Sequence, residues 1–308
     1  MKISKSIFAV LVLALPFGQS WADGKLKLQK VTEDVYAIVG ELGNRTPENL
    51  GNNATFGFVV TPEGIVLIDS GGTYQGAQNI DMLIKSITDK PVVTVINTGG
   101  QDHRWLGNGY FKEQGAEIIA SEKAVIDQKS RSQDQFIMLG NLVGKEIVKN
   151  TDAVYADKTF AEQFEFETGG TIFEIRHSGQ AHTPGDSFVW LPQKRVMFTG
   201  DIVYVERMLG VGAQSNSKSW ISVFQTMAAY EPRHLIPGHG KATNLSQAKT
   251  DTYDYLLFLR KSVADFIENG GDITNIGSVN QSKYNYLINY ETISGRNAQQ
   301  VFTEIEWE

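Results

Sequence analysis

Short runs of β-branched and aromatic residues, set off by Asn, Gly and Pro, open the patterned part of the chain: Val35-Tyr36-Ala37-Ile38, Thr55-Phe56-Gly57-Phe58-Val59-Val60 and Gly64-Ile65-Val66-Leu67-Ile68. With the Pro62-Glu63-Gly64 turn between the last two, they predict an antiparallel strand series. Over residues 75–87 the period changes, and Ile80, Leu83, Ile84 and Ile87 recur at helical spacing. Val92-Val93-Thr94-Val95-Ile96, after Pro91, reads as a buried strand. A helix over 108–115, a strand over 117–120 and a mainly helical stretch over 121–148 follow, the last with Ser121 as its cap before Glu122.

A second strand series holds Phe173-Glu174-Ile175, Phe188-Val189-Trp190-Leu191 and Val196-Met197-Phe198, each bounded by Gly or Pro. Two rounds of strands followed by helices predict a four-layered αββα sandwich, two packed sheets with helices outside. Residues 245–268 carry the spacing of a closing helix (Tyr253, Leu256, Leu257, Leu259, Val263, Phe266). A polar stretch and a last amphipathic helix around 296–307 complete a C-terminal helical extension from about residue 245 to 308.

Composition narrows the function classes. The 308 residues, 41% hydrophobic and 20% charged, can bury the core of one large domain or two fused halves. The net charge of -7 is spread without long acidic or basic runs, which argues against nucleic acid or an anionic membrane as partner. Residues 1–22 place Lys2 and Lys5 before an apolar run from Ile7 to Leu15, then Pro16 and the small residues Ser20 and Ala22. That is a cleavable secretory signal pattern, too short to span a bilayer, and it predicts a periplasmic or secreted domain over 23–308 without a stable membrane anchor. Cysteine is absent, so neither a thiol nucleophile nor a thiolate ligand is available.

The five histidines are His103, His177, His182, His234 and His239. Three lie in loops: Gln101-Asp102-His103-Arg104, Ala181-His182-Thr183-Pro184-Gly185-Asp186 and Pro237-Gly238-His239-Gly240. Phe198-Thr199-Gly200-Asp201 falls between the last two. An aspartate and imidazoles at the ends of adjacent strands can converge on one ion such as zinc, iron or manganese.

Six segments in order, Val66-Leu67-Ile68-Asp69-Ser70-Gly71, Val95-Ile96-Asn97-Thr98, Leu106-Gly107-Asn108, His182-Thr183-Pro184-Gly185-Asp186, Phe198-Thr199-Gly200-Asp201 and Ile236-Pro237-Gly238-His239-Gly240, give the chain its resemblance to the metallo-β-lactamase superfamily. The resemblance covers nearly all of the chain after the signal. It implies the αββα fold and one or two metal ions at one edge of the sandwich, activating water against a small-molecule substrate.

The departure lies where the family motif H-x-H-x-D-H should follow Thr98. Without a gap, Gly99 and Gln101 stand for its first two histidines, His103 for its aspartate and Arg104 for its last histidine. The first metal position then keeps His182, with Gln101 as a weak helper; the second keeps His103, Asp201 and His239, with coordination sites left open. Slipping the loop by one instead makes Asp102-His103 the family's Asp-His pair and Arg104 an insertion. His103 is a ligand candidate in both registers. By resemblance Asp69 orients the metal loop from behind, and Asp186 holds the loop after His182, while His177 and His234 fall outside the pattern. Arg104, permanently charged, suits an anionic group of a substrate, and Tyr204, Glu206, Arg207 and Met208 lie in a loop that should border the site, as candidates for substrate contact or as surface loop packing.

The expectation is therefore a hydrolase with a single metal ion, zinc first among candidates with iron or manganese as alternatives, in which His182 and Arg104 serve catalysis. A binding protein without turnover and a metal-dependent oxidation of a sulfur compound are the alternatives.

Overall fold

The computed structural model describes residues 26–308; the expected signal peptide lies outside them. The first sheet runs β1 (Lys27–Thr32), β2 (Val35–Val39), β3 (Thr55–Val60), β4 (Ile65–Ile68), β5 (Val92–Asn97), β6 (Glu117–Ser121) and β7 (Lys158–Phe160) in spatial order. Its first four strands are antiparallel and the rest parallel to β4. The second sheet contains β8 (Gln163–Thr168), β9 (Thr171–Arg176), β10 (Phe188–Leu191), β11 (Val196–Phe198) and β12 (His234–Ile236), ordered β12-β11-β10-β9-β8.

Three apolar layers make the sandwich. Val59, Val66, Ile68 and Ile96 from one sheet meet Phe173, Val189 and Phe198 from the other. Outside the first sheet, Ile38, Phe56, Leu67 and Val95 pack with Ile80, Ile84 and Phe111 of helices α1 (Tyr74–Lys85) and α3 (Asn108–Glu113). Outside the second, Phe188 and Met197 pack with Trp220 of α6 (Ser217–Ala228), Leu256 and Leu259 of α8 (Asp254–Glu268) and Val301 and Phe302 of α9 (Tyr290–Glu306). The αββα fold read from the pattern is the fold observed.

Local chemistry sets the boundaries. Ser121 caps α4 (Glu122–Val143), its hydroxyl accepting from the Ala124 N–H at 3.0 Å. The expected mainly helical stretch to residue 148 is interrupted once, at Gly144, whose φ of 89° L side chains avoid, and resumes as the short α5 (Lys145–Val148). The remaining helices are α2 (Asp102–Trp105) and α7 (Leu245–Ala248); a π-helical turn over Lys249–Tyr253 joins α7 to α8.

Strand direction positions the site. In the parallel pair β11/β12, Phe198 lies opposite Ile236. Asp201 and His239 each follow by three residues and so leave the sheet side by side. In the parallel pair β4/β5, Ile68 lies opposite Ile96, which delivers Asp69 and the 98–108 loop to the same edge.

Candidate metal centre

Arg104 organises this edge. It has no exposed surface, and all five of its N–H donors are used within the protein. Nε donates to Asp201 Oδ2 (3.1 Å) and one terminal nitrogen to Asp201 Oδ1 (2.7 Å) and the Gly238 carbonyl (2.9 Å). The other donates to Asp69 Oδ2 and the Thr55 carbonyl, both at 2.9 Å. The guanidinium therefore faces the protein interior and has no donor to offer a substrate. A Cβ on Gly238 would stand 2.6 Å from it, so the close approach of the His239 loop requires glycine there.

Asp69 meets Arg104 from behind. Its φ of 65° is a left-handed conformation unusual outside glycine, and its carboxylate accepts from the Thr98 N–H (2.7 Å) and hydroxyl (2.8 Å). The strained turn thus ties the end of β4 to the start of the 98–108 loop.

Asp201, held on one side by Arg104, faces two imidazoles on the other. His103 Nε2 lies 3.2 Å from its Oδ2 and His239 Nε2 3.3 Å from its Oδ1, and the rings cross at 88° with centroids 5.2 Å apart. Ligand atoms of His103, Asp201 and His239 lie within 4.8 Å of one another, and all three residues are buried. Two imidazoles and one carboxylate, a donor set that suits zinc and similar divalent ions, thus stand close enough to hold one ion between them. His239 Nδ1 donates to the Asn53 carbonyl at 2.9 Å, which fixes the ring with Nε2 inward. Burial would raise the Asp201 carboxyl, but the Arg104 guanidinium holds it well below the usual carboxylate range. Burial, reinforced by Arg207, drives His239 well below the usual imidazole value, keeping the ring neutral and able to ligate.

The other expected site residues are placed differently. Asp102 accepts the His103 N–H (2.8 Å) and pairs with Arg45, whose charge outweighs burial and holds the carboxyl low; it lies outside the group of three. Gln101 precedes α2, its amide directed to Asp102 (3.3 Å). His182 is also outside the group. Its Nδ1 donates to the Gly210 carbonyl at 3.0 Å, and its ring lies against Tyr204 and Trp220. Tyr204 stacks on His239 with centroids 4.5 Å apart. His177 donates to the Asp186 carbonyl at 2.7 Å, and His234 sits in β12.

Where the resemblance puts the first metal ligand, the backbone has no room for a side chain. A Cβ on Gly99 would stand 2.5 Å from Asp186 Oδ1, and one on Gly100 would strike Asp127. Helix α4 supplies the packing, Gln128 donating to the Gly99 carbonyl (3.1 Å) and Gln135 to that of Gly100 (2.8 Å).

Asp186, fully buried against Thr183, is pushed up to about 8 by burial, with the Asp201 charge adding to it. The folded protein therefore holds a proton that the unfolded chain releases above its ordinary value of 3.8. Stability of the metal-free protein should fall by up to about 1.4 kcal/mol per pH unit from this group as pH rises from 5 through 8. Asp186→Asn, which keeps the neutral shape, is expected to flatten that slope in thermal melts, leaving the variant the more stable protein at pH 9. An unchanged slope would show that Asp186 is ionised throughout.

Two contributors were not picked out of the sequence. Arg45 and Asn53 come from the loop between β2 and β3, whose Asn- and Gly-rich composition reads as a plain connection. Arg207, expected as a candidate for substrate contact or as surface loop packing, proves nearly buried, with one terminal nitrogen 2.8 Å from the Gly43 carbonyl.

Known proteins resemble the chain in sequence and in fold. The chain is 24% identical over 243 residues to "Metallo-beta-lactamase type 2" of Elizabethkingia meningoseptica, covering 74% of this chain and 86% of the relative. It is 24% identical over 246 residues to metallo-beta-lactamase IND-1 of Chryseobacterium indologenes, covering 78% and 92%. Among solved structures, a metallo-beta-lactamase from Pontibacter korlensis superposes with a TM-score of 0.60 at 24% identity, over 75% of this chain and 99% of that one. The inverting sec-alkylsulfatase Pisa1 from Pseudomonas sp. superposes with a TM-score of 0.71 at 17% identity, over 90% of this chain and 50% of that one. The profile of the Metallo-beta-lactamase superfamily matches residues 51–239, the span that carries Asp69, His103, Arg104, Asp201 and His239, and the chain belongs to that superfamily.

Proposed function

We propose that the protein is an exported, metal-dependent hydrolase of small molecules that works with one ion, zinc by preference, held by His103, Asp201 and His239. The observation that carries this reading is the pairing of a compact, buried ligand trio with a Gly99 position that has no room for a ligating side chain. The export part is supported by the pattern of residues 1–22. Among the described residues no helix is long and apolar enough to cross a membrane.

When bound, a zinc ion supplies Lewis acidity, lowering the pKa of water and polarising the scissile group. The chain's own residues set the conditions. Arg104 holds the Asp201 carboxylate by both oxygens, so the carboxylate keeps one orientation without reorganising. The Asn53 carbonyl fixes the His239 tautomer. His182, its Nδ1 proton engaged by Gly210, presents Nε2 as the atom that positions water or substrate beside the trio. Trp220 and Tyr204 wall that imidazole with apolar surface and limit access of bulk water.

Elemental analysis of the mature protein recovered from its own periplasm tests the reading, followed by a screen of ester, thioester, lactam, phosphoester and sulfate-ester substrates. One ion per chain, hydrolysis lost on chelation and regained on reloading are expected. Two ions per chain would overturn the single-ion proposal. Absence of metal together with absence of turnover after reconstitution would make the protein a binding module.

A further inference from the structure

A cavity of about 580 Å³ lies between the start of α4, the 161–163 turn, the end of β9 and the end of α6, and none of His103, Asp201 and His239 lines it. Its volume falls within the roughly 300–1,000 Å³ of small-molecule pockets. His177 lines it and is itself 6% exposed. Nδ1 of that ring donates to the Asp186 carbonyl at 2.7 Å, and burial holds the imidazole below its usual value and so neutral. Nε2 is therefore a bare acceptor. It is buried, and no group of the protein donates to it. A buried acceptor of this kind is destabilising unless a donor reaches it.

Arg176, the preceding residue, lines the same cavity. Its terminal nitrogens go to Gln163 and Glu174, and its buried Nε–H has no acceptor in the protein. Two exposed side chains of opposite sign complete the polar lining. Lys123 and Glu162 both act electrostatically on the His177 ring, and among the described residues neither forms an ion pair. Phe188 and Tyr230 supply the aromatic part, their rings edge to face with centroids 5.4 Å apart. An anion alone would leave His177 Nε2 and Glu162 unmatched. An amine alone would leave Arg176 Nε and Lys123 unmatched. A molecule with an ammonium, a carboxylate and an apolar body matches all of them.

We propose that this cavity binds a free α-amino acid with an apolar side chain: its ammonium donates to His177 Nε2 beside Glu162, its carboxylate accepts from Arg176 Nε and Lys123, and its side chain lies against Phe188 and Tyr230.

Titration calorimetry of the full mature protein with L-leucine and L-phenylalanine tests the site. Saturable binding of at least one of them is expected, with the same affinity in metal-free and metal-loaded protein. Phenethylamine, which lacks the carboxylate, and hydrocinnamate, which lacks the ammonium, should each bind about tenfold more weakly than L-phenylalanine or not at all. Lys123→Met and Glu162→Gln change exposed side chains and should fold normally, and each should weaken binding of the amino acid about threefold or more. Lys241→Met, which removes an exposed cation elsewhere, should leave it unchanged.

Nitrogen-15 NMR of the histidine rings adds a readout at the named atom. During the titration the His177 Nε2 resonance should move toward that of a hydrogen-bonded acceptor and saturate with the calorimetric affinity, while His234 stays in place. Absence of saturable binding by both amino acids would leave Nε2 to solvent and overturn the proposal. So would binding only when the metal is loaded, which would place the amino acid on the ion. Binding undiminished in both Lys123→Met and Glu162→Gln, or binding with an unmoved His177 resonance, would place it elsewhere on the protein and overturn the site equally.

Discussion

Replacement of Arg104 by Met is expected to cost about 3–5 kcal/mol of folding free energy, a large part of the ~5–15 kcal/mol that holds a typical domain folded. The size follows from what is left behind. Asp69 and Asp201, both buried, lose their shared cation, and the Thr55 and Gly238 carbonyls lose their donor. The loss should depend on pH in a defined direction. In the wild type the depressed Asp201 carboxyl contributes stability that is present above the unfolded carboxylate value and is lost as pH falls through the lower folded one. Without Arg104, burial raises both carboxyls, so the variant becomes less stable as pH rises. The difference between the two proteins therefore shrinks as pH falls toward the depressed Asp201 value and is largest at neutral pH. Denaturant unfolding followed by tryptophan fluorescence at several pH values checks this. Adding Asp69→Asn to Arg104→Met should recover part of the loss, since it removes one of the stranded charges. A loss of less than 1 kcal/mol at pH 7 would contradict the central role given to Arg104.

The sandwich was legible because its strands are short, β-branched and punctuated, and its helices change the hydrophobic period at clear points. What escaped were elements whose pattern carries little contrast. Strand β1, Lys-Leu-Gln-Lys-Val-Thr, lies at the edge of its sheet and is half exposed throughout. Strand β12 has three residues. At the site, Asp201, His239 and His103 stood out because their residue types occur at loop positions where charge and imidazole are otherwise rare. The meaning of Gly99 was less readable. In the sequence it is a missing ligand, whereas in the fold it is a position where Asp186 leaves no room for any side chain. That closure depends on a contact with a residue far away in the chain, and single-chain pattern reading has no access to it. Arg104 shows the same limit. A permanent charge beside a metal motif suggests substrate binding, yet its five internal bonds can only be counted once Thr55, Asp69, Asp201 and Gly238 are brought together.

His239→Ala is expected to lower metal affinity and hydrolysis together, each by at least about 100-fold, since the loss of even an outer hydrogen bond to a ligand commonly costs about 10–100-fold. Position and hydrogen bonding separate this residue from His182. His239 places Nε2 beside Asp201 within the trio, and its proton is committed to Asn53. His182 commits its own proton to Gly210 and stands outside the trio, against Tyr204 and Trp220. His182→Ala should therefore keep the bound ion and lose rate, whereas His239→Ala and Asp201→Asn should lose the ion. Metal content and turnover measured on all three variants, with circular dichroism to verify folding, distinguish the roles. Should His182→Ala lose the ion as completely as His239→Ala, His182 would be a ligand, and the single centre would have to extend toward the first metal position. Retention of full metal and full activity by His239→Ala would remove the trio as the metal centre altogether.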